Sequence, residues 1–246
     1  MKSHKFMLHT KSQNHFQCKR NQFTCYDGTC KDLKARCNNV FECLDGSDES
    51  ICEPLSIHKK NYKKAFPPFN GSNKTIIDIR INIESIESID ELAMTFTSQV
   101  KIFLRWRDQR ITFRNLAQSK KVLSNVWRDQ IWLPPLYFLN TNEYNMILDG
   151  NYIEVAIIPH GEPILDEISE LNEANIFKGE ENELELYSVN DLIFKCNFEL
   201  WNYPFDVQHC SVNVKIPSEL RNYTILNPIE FIYTGTFNLI PYHILY

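Results

Sequence analysis

Eight cysteines and a short run of carboxylates are the residues of this 246-residue sequence best suited to chemistry. Six cysteines lie between Cys18 and Cys52, and the other two are Cys196 and Cys210. An even count split into a dense cluster and a distant pair reads as disulfides made in an oxidising compartment. The cluster lacks the Cys-x-x-Cys pairs with His partners that mark zinc sites. Beside Cys43 and Cys52, the residues Glu42, Asp45, Asp48 and Glu49 crowd negative charge together. Carboxylates held this close repel unless something neutralises them. Calcium, which takes six to eight oxygens, suits such a cluster. The segment has few large apolar side chains, so burial alone cannot hold it and it needs covalent or metal staples.

Thirteen residues separate Cys196 from Cys210. Closing a loop of that length contributes about 3 kcal/mol in the chain-entropy model. The loop encloses Trp201-Asn202-Tyr203-Pro204-Phe205-Asp206, and an aromatic before proline favours a cis bond and a tight turn.

Composition narrows the function classes. With 43% hydrophobic residues the chain can bury a core, and 13% aromatics favour strands. A mild net charge of -5 argues against a nucleic-acid-binding surface. The seven histidines fall in no metal-binding or triad spacing and no nucleophile motif occurs, so the sequence does not read as an enzyme. No apolar run has the length of a membrane helix, and residues 1–17 hold no leader-like run. A disulfide protein without an entry signal is expected to be incomplete at its N-terminus. Asn70-Gly71-Ser72, Asn73-Lys74-Thr75 and Asn222-Tyr223-Thr224 fit the glycosylation acceptor.

The elements that must position these residues are strands. Ile77, Ile79, Ile81 and Ile83 alternate with polar residues, as a half-buried strand does. A polar turn is expected over residues 85–90. A second strand then turns Met94, Phe96, Val100, Ile102, Leu104 and Trp106 inward and Thr95, Thr97, Lys101, Phe103 and Arg105 outward, which makes a hairpin. Further strands are expected over residues 152–158, 184–198, 211–216 and 229–233, with an acidic solvated insertion over 162–185. Many strands and little helix predict an antiparallel, immunoglobulin-like β-sandwich of about ten strands.

Two resemblances sharpen these readings. Cys18…Phe23-Thr24-Cys25…Gly28-Thr29-Cys30…Cys37…Cys43-Leu44-Asp45-Gly46-Ser47-Asp48-Glu49…Cys52 resembles the class A module of the low-density lipoprotein receptor. Spacing alone leaves 15 connectivities open. The resemblance implies the pairs Cys18–Cys30, Cys25–Cys43 and Cys37–Cys52. It also implies calcium held by side chains of Asn38, Glu42, Asp48 and Glu49 and by backbone oxygens of Ala35 and Val40. Asn38 and Glu42 stand where that family places Asp.

The aromatic-Pro-Phe-Asp motif between Cys196 and Cys210 is similar to the signature of Cys-loop receptors: nicotinic, GABA, glycine and invertebrate glutamate-gated channels. Trp106-Arg107-Asp108-Gln109-Arg110-Ile111 and Ile131-Trp132-Leu133-Pro134, then Tyr137-Phe138-Leu139-Asn140, follow in that family's order. The resemblance implies a homo- or hetero-pentamer with other channel subunits, binding a small amine or amino acid between neighbours on the extracellular face of the plasma membrane. Tyr137 would belong to an aromatic box on one subunit. Lys101, Phe103 and Arg105 would face the cleft from the other. Trp201, Tyr203, Pro204, Phe205 and Asp206 would couple binding to the pore. The resemblance implies that the third binding loop, the last strand and the membrane helices are expected beyond Tyr246. The expected organisation is a tail over 1–17, the cysteine-rich module over 18–53, a linker with a short helix over 54–70, and the ligand-binding domain over 71–246. A secreted binding protein of the same fold, or a calcium-dependent adhesion or uptake receptor, are the alternatives.

Overall fold

The computed structural model describes residues 18–19, 21–50, 52–57, 62–69, 73–116, 119–141, 146–164, 174–203, 205–235, 238–239 and 242–243. The expectations for the 1–17 tail, for Asn70 and for Pro204 with its cis bond lie outside these residues.

Two short strands, β1 (Gln22–Thr24) and β2 (Cys30–Asp32), form an antiparallel ribbon in the small module. Then come β3 (Leu55–Ile57), β4 (Thr75–Asp90), β5 (Thr95–Trp106), β6 (Ile111–Arg114), β7 (Lys121–Val122) and the single-turn helix α1 (Asn125–Arg128). They are followed by β8 (Tyr137–Phe138), β9 (Tyr152–Ile158), β10 (Ile176–Lys178), β11 (Glu183–Lys195), β12 (Val214–Lys215), β13 (Thr224–Tyr233), β14 (Asn238–Leu239) and β15 (Tyr242–His243).

One layer of the sandwich is a six-stranded sheet in the order β13-β4-β5-β11-β9-β7. Period-two patterning explains it. Along β5 every second residue is buried, and Val100, Ile102 and Leu104 are fully enclosed. β11 answers with Leu184, Leu186, Leu192 and Phe194. The opposing layer consists of the β8–β12 pair and the β10-β6-β3 sheet. It contributes Ile111, Phe113, Leu136 and Phe138, and the ring of Phe138 meets Phe194 edge-on at 5.7 Å. Burying each such side chain contributes roughly 1.5–3 kcal/mol.

Several expectations are corrected. β13 pairs with β4 in parallel, so the sandwich is not wholly antiparallel. The turn expected over 85–90 is strand: β4 runs on to Asp90 through register shifts at Ile83/Ser85 and Ile86/Ser88. Such bulges add residues without ending a strand, and the Ser98 hydroxyl supports one by donating to the Ser85 carbonyl at 2.8 Å. The reversal comes at residues 91–94, where Asp90 Oδ1 accepts from the amides of Leu92 and Ala93 at 3.0 and 2.8 Å. Met94 is therefore not inward; it closes that turn at φ +54° and is partly exposed. The strand expected over 211–216 shrinks to β12, and those expected over 184–198 and 229–233 become β11 and β13. In the acidic span, residues 176–178 form β10 and Phe177 enters the core, so this part is no solvated insertion. Within 54–70, residues 55–57 are a core strand with Leu55 buried, and no helix occurs among the described residues of that span.

A buried charge cluster knits the layers together. Asp108 is fully buried and accepts from Arg110 Nε and Nη2 at 2.8 and 2.7 Å and from the Tyr62 hydroxyl at 3.0 Å. Tyr62 in turn accepts from the Trp132 amide at 2.8 Å. Burial and then the Asp108 charge push the Tyr62 phenol well above its ordinary pKa, so it remains a donor. Gly179 closes over this corner, where a Cβ would collide with the Asp108 carbonyl oxygen. The cluster fixes the segment that leads into β8. Tyr62→Phe strips Asp108 of a donor and Trp132 of its acceptor, and should cost about 1–3 kcal/mol. The expected readout is a lower denaturant midpoint at unchanged slope; an unchanged midpoint would contradict this role.

Candidate functional site

The solvent-facing side of the six-stranded sheet carries a polar and aromatic row that crosses it strand by strand. Register places Glu230, Arg80, Phe103, Tyr187 and Glu154 side by side on β13, β4, β5, β11 and β9. Arg80 Nε stands 2.9 Å from Glu230 Oε2, and its guanidinium lies over the Phe103 ring at 5.7 Å. Phe103 packs on Tyr187 at 4.9 Å, and Tyr187 on Tyr152 at 5.8 Å. Tyr187 and Tyr152 escape a strand-by-strand sequence reading. The register of β11 opposite β5 finds Tyr187, and that of β9 opposite β11 finds Tyr152.

Beside this row Arg105 Nε meets Glu185 Oε2 at 2.6 Å, directly across the ladder. The nearly buried Glu185 also takes Lys120 at 3.2 Å. Lys101 pairs with Glu84, and that hydrogen bond raises its pKa. Lys101, Phe103 and Arg105 thus share one face, and the two cations already hold carboxylate partners.

Tyr137 lies elsewhere. It sits in β8 of the opposing layer, paired with Lys215, next to Phe138, which points into the core. Alternation along a strand turns Tyr137 to the outside of that layer. Tyr137 and the three β5 residues therefore occupy opposite outer surfaces of one sandwich.

At one end, the Cys196–Cys210 disulfide closes the loop, and the Cys196 amide donates to the Met94 carbonyl at 2.9 Å, beside the β4–β5 turn. Inside the loop, Phe205 donates its amide to Asn202 and Gln208 braces Glu199. Trp201, Tyr203 and Phe205 are 79, 59 and 90% exposed, an apolar tip without cover among the described residues. Asp206 accepts from the Gln208 side chain.

The small module holds the disulfides Cys18–Cys30, Cys25–Cys43 and Cys37–Cys52. Asp48 is fully buried, and its Oδ2 accepts from the amides of Glu42 and Cys43 at 2.7 and 3.3 Å. Burial raises its pKa, but these N–H donors outweigh burial and hold the carboxyl below its ordinary value. Glu49 Oε1 accepts from the Asn38 amide at 2.7 Å, and the Asn38 carboxamide donates to Glu42 Oε1 at 2.9 Å. Asp48 Oδ1 and Glu42 Oε2 are buried with no hydrogen-bond partner. Two orphaned carboxylate oxygens fit a cation. No group of three or more His, Cys, Asp or Glu side chains poised for a metal is assembled among the described residues. Asn38 adds an amide rather than a further carboxylate to Glu42, Asp48 and Glu49, and its N–H is spent on Glu42. The side chains of Ala35 and Val40 bring no oxygen, so their part would be played by carbonyls.

Of the glycosylation acceptors, Asn73 and Asn222 are exposed at the heads of β4 and β13. No helix among the described residues is long and apolar enough to cross a membrane.

Residues 52–166 match the neurotransmitter-gated ion-channel ligand binding domain, and residues 16–52 match the low-density lipoprotein receptor domain class A. Among relatives, the gamma-aminobutyric acid receptor subunit beta-4 of Gallus gallus is 27% identical over 177 residues, covering 72% of this chain and 31% of the relative. The glutamate-gated chloride channel of Drosophila melanogaster is 27% identical over 150 residues, covering 59% of this chain and 28% of the relative. The chain thus spans less than a third of the length of these relatives. Residues 16–52 are thus similar to a class A module of the low-density lipoprotein receptor type, and residues 52–166 to a ligand-binding domain of the neurotransmitter-gated ion-channel family.

Proposed function

We propose that this chain is the extracellular sensing part of a pentameric channel subunit, with a small amine or amino acid held between two neighbouring subunits. One observation carries the reading: Tyr137 and the Lys101, Phe103, Arg105 group lie on opposite outer surfaces of the same sandwich. A single copy cannot close them around a ligand, whereas two copies side by side can. Tyr137 then comes from one subunit. The row Phe103–Tyr187–Tyr152 supplies π-faces from the other, for an ammonium held by cation–π attraction. Arg105 uses Nε for Glu185, and the rest of its guanidinium suits a ligand carboxylate. Lys101 is bound to Glu84 and serves to shape the face. The exposed apolar tip of Trp201, Tyr203 and Phe205, with Pro204 and Asp206, transmits the bound state to the membrane part of the subunit. Such transmission requires contacts at both ends that differ between two states.

Calorimetric titration of the assembled oligomer with candidate transmitters tests this. Tyr137→Ala and Phe103→Ala should each weaken binding by about 0.5–2 kcal/mol, roughly 2- to 30-fold. Absence of saturable binding, or affinity untouched by both variants, would contradict it.

In the small module, Asn38, Glu42, Asp48 and Glu49, with carbonyls of Ala35 and Val40, would hold calcium. The ion would neutralise the carboxylates and brace the fold. The orphaned oxygens of Asp48 and Glu42 support this. Calcium at 100 times its Kd should stabilise the module by about 2.7 kcal/mol, and Asp48→Asn should remove most of that gain. The native Asp48 pKa is depressed, so its stabilisation is present at neutral pH. It is lost as pH falls through the ordinary carboxylate range and below. Melting curves of the module that ignore both calcium and acid would refute this role.

A further inference from the structure

The module is joined to the sandwich by more than a connecting chain. Only Glu53 and Pro54 separate Cys52 from β3. The Pro54 carbonyl accepts from the Arg114 amide at 3.0 Å, and β3 then pairs with β6 over Leu55↔Phe113, Ser56↔Thr112 and Ile57↔Ile111. Next to Arg114 stands Asn115, buried at φ +49°. Asparagine tolerates this left-handed conformation better than most residues. The Asn115 amide donates to the Asn175 carbonyl at 2.8 Å, and its Oδ1 accepts from the Asn175 amide at 3.0 Å. Its Nδ2 points at Cys37 Sγ, 3.8 Å away. One side chain therefore touches both the approach to β10 and the Cys37–Cys52 disulfide.

The same disulfide borders the carboxylate cluster. The Cys37 amide donates to the Asp48 carbonyl at 3.1 Å, Arg36 Nη1 to the same oxygen at 2.8 Å, and the neighbouring Asn38 amide to Glu49 Oε1 at 2.7 Å. On the sandwich side, β10 runs from Ile176 to Lys178, and the amide of the next residue, Gly179, donates to the Ile111 carbonyl at 3.0 Å beside Asp108. Carboxylates, disulfide, Asn115, Asn175 and the β6–β10 corner thus form an unbroken run of contacts. Physical contiguity of this kind can carry coupling when the element at its far end has two states of order.

We propose that Asn115 is a fixed joint through which the folded state of the cysteine-rich module sets the order of the β6–β10 corner of the ligand-binding domain. Calcium occupancy of the module would act through the same joint; that part rests on the calcium reading above. A module on a flexible tether would leave the corner indifferent to its state. Here the module reports to the domain directly.

Hydrogen exchange followed by mass spectrometry on the full chain tests this in three arms. Cys37→Ser with Cys52→Ser loosens the module without any metal step, and should speed exchange of residues 174–179 by about five- to tenfold. Chelation with EGTA should speed exchange in both 36–49 and 174–179 of the unaltered chain. Asn115→Gly keeps the backbone conformation accessible and removes the side chain. It should leave the response of 36–49 to chelation intact and abolish that of 174–179. Exchange of 174–179 at the unaltered rate in the double serine variant would overturn the joint, as would an undiminished chelation response in Asn115→Gly. If chelation changes neither segment in the unaltered chain, the calcium reading fails, and the serine variant alone decides the joint.

Discussion

A β-strand must turn successive side chains to opposite faces, and in this protein that constraint decides which residues can ever meet. In β5 it commits Val100, Ile102 and Leu104 to the core and therefore Lys101, Phe103 and Arg105 to the outside. In β8 it commits Phe138 to the core, where it packs on Phe194, and so Tyr137 to the outside of the opposing layer. Neither pair can be changed without exposing the core, since a one-residue slip would exchange every side chain at once. The two candidate binding surfaces are thus fixed back to back by hydrophobic burial rather than by any contact between them.

A second constraint keeps β8 where the first needs it. The buried Asp108 carboxylate would be costly without compensation. Arg110, Tyr62 and the backbone around them supply that compensation. Because Tyr62 also holds the Trp132 amide, satisfying one buried charge fastens the segment before β8 to the β5–β6 turn. The same corner is closed by Gly179 just after β10, and Asn175 just before β10 is held by Asn115, which touches the small module. Charge burial, layer packing and module docking therefore converge on one region of the sandwich.

Much of this was legible beforehand and some was not, for identifiable reasons. The alternation around Val100 to Trp106 read directly as a half-buried strand, and the residues 152–158 coincide with β9. Local pattern failed where non-local geometry rules. Bulges at Ile83/Ser85 and Ile86/Ser88 let β4 pass through a polar stretch that looks like a turn. Ile176-Phe177 is a short apolar pair within an acidic span, and only its pairing with β6 reveals a strand. The parallel partnership of β13 with β4 joins residues nearly 150 positions apart, beyond any window of local sequence. Tyr187 and Tyr152 became site candidates only once register set them beside Phe103. In the small module the acidic motif was plain. The consequence of Asn38 was not, because it depends on which way its amide turns relative to Glu42.

The central claim is that the two outer surfaces meet only between copies of this chain, and a covalent trap addresses it directly. Tyr137→Cys and Phe103→Cys placed in the same chain, then oxidised mildly in the assembled protein, should yield intermolecular disulfides and a ladder of linked subunits on a non-reducing gel. Each single variant should yield no ladder. Failure of the paired variant to cross-link between chains, or a disulfide formed within one chain, would contradict the account.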